Sequence, residues 1–300
     1  MRQRVWAVVG AGLILLAARS AADDPPAESA AVVTDATGKE VELTAVKLTT
    51  GTRRLAWLAD PKGATDDARK GPLALEVREP HSTTFTKGVL TLIPVSGVQS
   101  VRYDYDKHLM AVSVKGLNDP ITGTLQFKGI NVLALEGSAG GVPAKYTGGV
   151  PGAAGIKGVA FPGARPLPVR PTGGAAWGVQ IIQPAAKDPT LPARNLKPLF
   201  AFPGGVEVLL DALPVRKGDP VNLTGAGVKR LEVLAVDPNT QFAAVEVQPE
   251  DGPERVAAVP LTLEHDKKTG TLIGWLGEVE AGWKLFPLHA VKVITPDAKK

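Results

Sequence analysis

Glycine and proline recur so often in this chain that a long helix has little room to run. There are 33 glycines and 26 prolines among 300 residues, about a fifth of the chain. Proline fixes φ and removes a donor, and glycine supplies positive φ, so both interrupt helices and suit turns. Short apolar runs lie between them. Val41, Leu43 and Ala45 alternate with Glu40, Glu42 and Thr44, the period-two pattern of a half-buried strand. Further strand-like runs cover 55–58, 73–77, 89–93, 98–105, 109–114, 122–127 and 130–135. After Trp177 they return at 179–182, 221–223, 228–235, 242–247, 255–263, 271–276 and 285–294. Val206 to Leu213 reads either as a strand or as two helical turns stopped by Pro214.

Turn signals separate these runs: Asp35-Ala36-Thr37-Gly38, Asp60-Pro61-Lys62-Gly63, Asn118-Asp119-Pro120 and Asp266-Lys267-Lys268-Thr269-Gly270. Short strands with turns at this spacing predict an all-β fold of antiparallel sandwich or barrel-like modules. Aromatic residues are 5 % of the chain, so the expected cores are aliphatic. Cysteine is absent, which excludes disulfides, thiolate metal sites, a cysteine nucleophile and a lipid-bearing N-terminal cysteine.

The pattern divides the chain. Residues 31–136 form one expected β module and 176–296 a second. Residues 137–175 read as a Gly/Pro-rich linker with one strand at Ile156 to Phe161, residues 23–30 as a disordered start and 297–300 as a tail. Four landmarks recur in order: Gly38 to Thr44 with Gly218 to Thr224, Arg54 to Leu58 with Arg230 to Leu234, Leu75 to Val77 with Val245 to Val247, and Leu92 to Val95 with Leu285 to Leu288. They suggest a duplicated module.

The first 22 residues have a different character. Arg2 and Arg4 precede an apolar run from Val5 to Ala18, and Ser20-Ala21-Ala22 follows. This is the plan of a secretory signal peptide cleaved after Ala22. Its 14-residue apolar core would reach ~21 Å as a helix, short of the ~30 Å hydrocarbon layer. The expected product is periplasmic or secreted, with no stable membrane span once the leader is gone. The leader contains three of the 34 basic residues, Arg2, Arg4 and Arg19, and none of the 30 acids, leaving 31 against 30. Binding duplex phosphates needs clustered Lys and Arg, so no nucleic-acid partner is expected.

Catalytic motifs are sparse. No Gly-x-Ser-x-Gly elbow occurs, and Ser96 sits in a turn context. The four histidines, His81, His108, His265 and His289, lack metal-ligand spacing, and the glycine-rich 137–155 run lacks a phosphate-loop ending. No cofactor is expected. Asn222-Leu223-Thr224 fits a glycosylation sequon, though within a strand. Trp57, Trp177, Trp275 and Trp283 are isolated among aliphatics and read as core or junction packing.

One polar constellation stands out. Arg78-Glu79-Pro80-His81 ends one strand, and Arg102-Tyr103-Asp104-Tyr105-Asp106-Lys107-His108 ends another. On a strand, Asp104 and Asp106 would share a face ~7 Å apart, and paired carboxylates can serve glycoside hydrolysis. The weak catalytic candidates are therefore Asp104, Asp106, His81 and His108, in a hydrolase whose two strand ends lie side by side. The favoured reading is an exported, non-catalytic binding, adaptor or structural protein with an envelope or extracellular ligand.

Overall fold

The computed structural model describes residues 30–79, 88–125, 131–150, 155–168, 174–182, 189–223 and 227–297. It is all-β, with antiparallel strand pairing throughout its sheets. Strands β1 (Ala31–Asp35) and β2 (Glu40–Thr50) form a hairpin. Its turn is held by the Asp35 carboxylate, which accepts from the Thr37 and Lys39 N–H groups at 2.8 and 3.0 Å. Next come β3 (Thr52–Arg54), a 3-10 turn (Ala56–Leu58), a short helix (Asp66–Lys70), β4 (Leu73–Arg78) and β5 (Leu90–Pro94). A second 3-10 turn (Val95–Gly97) leads to β6 (Val98–Asp104), β7 (Leu109–Val114), β8 (Ile121–Thr124), β9 (Ala134–Ala139), β10 (Val142–Thr147) and β11 (Ile156–Ala160).

The remainder begins with β12 (Ala176–Ile181), β13 (Thr190–Phe202), β14 (Val206–Leu209), β15 (Ala212–Leu213) and β16 (Val221–Asn222). β17 (Val228–Asp237), β18 (Phe242–Pro249), β19 (Arg255–Pro260) and β20 (Thr262–His265) follow. β21 (Lys268–Val279), β22 (Gly282–Pro287), a third 3-10 turn (Leu288–Ala290) and β23 (Val291–Pro296) complete it.

The sheets do not follow the division expected from sequence. One sheet has the order β10-β9-β2-β1-β11-β6-β7-β8. The larger one runs β19-β18-β17-β23-β12-β13-β21-β22-β5-β4-β3, so three strands from the first module extend a sheet built by the second. The joining pair is β22 with β5, where Trp283 faces Leu92, Lys284 faces Thr91 and Leu285 faces Leu90. The Gly/Pro-rich segment supplies β10 and β11, and β11 sits between β1 and β6 inside the first sheet.

Three apolar clusters result. Strand side chains alternate between faces, and the β4–β5 hairpin uses both. Leu75, Val77 and Ile93 enter the core of the first sheet with Leu43, Val101, Val112 and Ile156. Ala74 and Leu92 point the other way, into a small cluster with Leu55, Leu199, Leu276 and Leu285. The largest core gathers Trp177, Phe200, Leu231, Trp275, Phe286 and Ile294 from the second half. The hairpin is thus a wall shared by two cores.

The small cluster is enclosed. β14 pairs with β13, packs against the 3-10 turn that follows β3 and is linked to β3 by an Arg53–Glu207 ion pair. β3, β4, β5, β22, β21, β13 and β14, drawn from both halves of the chain, therefore wrap this cluster as a composite, open barrel whose β3 and β14 edges meet through that ion pair and not through a strand ladder.

Several local expectations change. Leu55 to Leu58 reads as a strand but turns as a 3-10 segment. Val206 to Leu213 takes its strand alternative, as β14 and β15. β13 has no counterpart in the sequence reading because Pro192 and Pro198 interrupt it. It accommodates them with irregular register against β21, and Asn195 adopts φ 50° at the bulge, a device that lets a strand bend without losing its partners. Gly51, where the chain passes from β2 to β3, has φ 80°, and a Cβ there would lie 2.3 Å from the Val132 carbonyl oxygen.

Two of the four duplication landmarks fall in unlike settings; Leu75 to Val77 and Val245 to Val247 each lie within a strand paired antiparallel on both sides. Gly38 to Thr44 enters the long β2 while Gly218 to Leu223 leads into the two-residue β16. Leu92 to Val95 and Leu285 to Leu288 do match locally: each is a strand ending in proline, then a 3-10 turn, then a valine-led strand.

Candidate functional site

The strand-end acids lie in a turn. β6 stops at Asp104, so Asp106 is not on the strand and the shared-face geometry expected for the pair does not arise. Asp104 Oδ1 accepts from the Lys107 N–H at 2.9 Å, and Oδ2 lies 3.2 Å from the Lys107 ammonium. The Lys107 backbone N–H, then its side chain, hold the Asp104 carboxyl below the usual aspartate range. Asp106 is exposed in the same turn. His108 closes that turn at φ 55°, and its carbonyl accepts from the Leu125 N–H at 2.7 Å. This is hairpin chemistry of the kind aspartate favours in turns.

His81 lies outside the described residues. The strand ending near it, β4, pairs with β3 and β5, whereas β6 pairs with β11 and β7 in the other sheet. The two strand ends are therefore not neighbours in a sheet. Tyr103 and Tyr105 both pack against the core of the first sheet, with ring centroids 5.9 Å apart. The Tyr105 hydroxyl donates to the Ile156 carbonyl at 2.8 Å.

The structure gathers other charged groups instead. Glu79 is buried at the end of β4. Its Oε1 accepts from the Thr91 hydroxyl and from the Lys284 ammonium, each at 2.7 Å. Thr91 and Lys284 face one another across the β5–β22 junction, so this cluster rivets the early strands to the late ones. A buried carboxylate needs such partners, because an unpaired charge in the interior is very costly.

A second cluster lies inside the composite barrel. Arg53 donates through NH2 to Glu207 Oε1, and its NH1 lies 3.7 Å from Glu76 Oε1. Arg53 faces Ala74 across the β3–β4 pair, and Glu76 faces Leu92, so alternation brings these groups to the side lined by the small core. The Glu207 side chain is only 8 % exposed. Burial pushes its carboxyl above the usual glutamate range; Arg53 opposes the shift and Glu76 adds to it.

This second cluster is incomplete. Among the described residues, four buried side-chain atoms lack a hydrogen-bond partner, Tyr103 Oη, Trp275 Nε1, Trp57 Nε1 and Glu207 Oε2, and the last two lie at this cluster. Both belong to the barrel, since the turn carrying Trp57 packs on the strand carrying Glu207. Trp57 meets Trp283 edge-on with centroids 6.2 Å apart. The chain neighbours of Trp57 and Glu207 are exposed apolar residues: Leu58, next to Trp57, is 40 % exposed, and Val206, next to Glu207, is 45 % exposed. Buried polar groups in folded proteins are nearly always bonded, so an exception calls for an explanation.

Sequence reasoning missed all five charged residues of the two clusters as site groups. Glu79 entered it only as the end of a strand. Glu207 did carry a signal, a single charge within the apolar run Val206-Glu207-Val208-Leu209-Leu210.

A shallow cleft of about 430 Å³ lies elsewhere, lined by Asp219, Asn222, Asp251 and Arg255 above Val228 and Val247. Its guanidinium is engaged within the chain, donating to the Asp219 carbonyl at 2.9 Å. Among the described residues, no group of three or more His, Asp or Glu side chains is placed to hold a metal ion. No helix among them is long and apolar enough to cross a membrane. No protein-family profile, curated protein or solved structure matches this chain.

Proposed function

We propose that this is an exported, non-catalytic β-rich protein of the cell envelope or extracellular space, with a binding role centred on the composite barrel. The observation that carries the binding role is the incomplete ion cluster Arg53, Glu76 and Glu207, where, among the described residues, Glu207 Oε2 is buried without a partner and Trp57 Nε1 nearby is likewise unpartnered. Export rests on the leader: Arg2 and Arg4, the apolar Val5 to Ala18 and the small residues through Ala22.

The hydrolase alternative assigns work to Asp104 or Asp106 with a nearby histidine. The engagement of Asp104 by Lys107 favours a turn-holding role for it. Two measurements test the whole reading. N-terminal sequencing of the protein recovered outside the cytoplasm is expected to begin at Asp23. A panel of glycan, ester and peptide substrates is expected to give no turnover; turnover abolished by Asp104→Asn or Asp106→Asn would replace the binding reading with the hydrolase.

A further inference from the structure

The shallow cleft of about 430 Å³ lies where β16 meets the start of β17, the end of β18 and the start of β19. Three exposed charged residues line it: Asp219 ahead of β16, Asp251 in the turn after β18 and Arg255 at the head of β19. Val221, Val228 and Val247, all buried, give it an apolar side. Its size falls within the range of small-molecule sites.

The opposite charges in this cleft are held apart. Arg255 Nη2 donates to the Asp219 backbone carbonyl at 2.9 Å. Among the described residues, no ion pair joins Arg255 to either aspartate, and neither carboxylate has a hydrogen-bond partner. The seat of the guanidinium is built into the backbone. Gly218 has φ 91°, and a Cβ there would lie 2.7 Å from Arg255 Nη1, so a side chain at this position would push the guanidinium aside.

These groups select by charge. A simple anion suits Arg255 but meets two carboxylates, and a simple cation suits the aspartates but meets the guanidinium. A ligand that carries both signs satisfies each. The guanidinium fork takes a carboxylate through parallel N–H bonds, and an aspartate accepts from an ammonium.

We propose that this cleft binds a small zwitterion of the α-amino acid class. Its carboxylate is taken by the remaining N–H groups of Arg255, its ammonium by Asp219 and Asp251, and an aliphatic side chain lies against the three valines. The site shares no residue with the composite barrel and goes beyond the reading of that region.

The test is calorimetric titration of the purified protein with L-leucine and its two half-analogues, isoamylammonium, which lacks the carboxylate, and isocaproate, which lacks the ammonium. Glucose serves as a neutral, hydroxyl-rich control. The expected result is saturable binding of leucine, with each half-analogue and glucose weaker by roughly tenfold or more, the worth of one charge-assisted hydrogen bond. Arg255→Gln and Asp219→Asn/Asp251→Asn should each weaken leucine binding by about tenfold, with circular dichroism confirming that the variants are folded. The ligand comparison uses the native protein alone, so it decides the matter even where a variant misfolds. The proposal is overturned by a half-analogue or glucose binding as tightly as leucine, by unchanged leucine affinity in folded Arg255→Gln, or by no saturable leucine binding at about 10 mM, where a millimolar site would fill. None of these results bears on the barrel cluster, the N-terminal sequence of the exported protein or its lack of turnover.

Discussion

The β4–β5 hairpin carries a buried ion cluster on each face, and the two are built to different standards. On one face Glu79, Thr91 and Lys284 close on one another at 2.7 Å. On the other, Arg53, Glu76 and Glu207 form a looser set with one contact at 3.7 Å and one carboxylate oxygen unmatched. Both clusters cross between distant parts of the chain. The first behaves as a fastener, because every charge in it has a partner. The second holds the barrel together less completely, with one buried carboxylate oxygen left without a partner among the described residues.

The largest expected effect comes from breaking the closed cluster. Lys284→Met strands the Glu79 carboxylate at the β5–β22 junction, and urea denaturation should show a loss of about 3–5 kcal/mol. Combining it with Glu79→Leu removes the stranded charge and should recover most of that loss. A single-variant loss below about 1 kcal/mol would mean that the junction rests on apolar packing alone. At the open cluster, Glu207→Gln keeps the oxygen that Arg53 uses and removes an excess charge. Its stability at neutral pH should stay within about 1 kcal/mol of the native protein, and a loss like that of Lys284→Met would make the two clusters equivalent.

Proton linkage sharpens the contrast. Folding raises the Glu207 pKa, so the fold binds a proton that the unfolded chain releases. The resulting stabilisation is complete below the ordinary glutamate pKa and is lost as pH rises through the elevated folded value. Relative to Glu207→Gln, the native protein should gain stability as pH falls through that window. The smallest effect is expected at the β6–β7 turn. Asp104 is held in its charged form by Lys107, so its contribution is present above the ordinary aspartate pKa and lost as pH falls through the lowered folded value. Asp104→Asn should shift the thermal midpoint at neutral pH less than any variant above.

Strand content was legible in the sequence; strand partnership was not. The alternation of Val41 and Leu43 with Glu40 and Glu42 reports a half-buried strand, and β2 is there. Nothing in the Leu90 to Leu92 run says that it will pair with Trp283 to Leu285, because a period of two specifies a face and leaves the neighbour open. Prolines hid β13: Pro192 and Pro198 read as breakers, yet a bulge at Asn195 lets the strand continue through them. The turn serving Asp104 was visible in its residue types, but the end of the strand at that residue was not, and the expected carboxylate pair depended on it. Arg53 and Glu207 could not be joined from sequence, since their contact exists only once the barrel has closed.

That closure has a consequence for the order of events during synthesis. β3, β4 and β5 emerge early, but the neighbour of β5 is β22, made near the end of the chain. Until then the outer edge of β5 is an unpaired row of backbone donors and acceptors, open to pairing with another chain. Contacts so distant in sequence also slow folding. A chain released or cut before β21 and β22 are complete would retain that sticky edge, which only β22 covers.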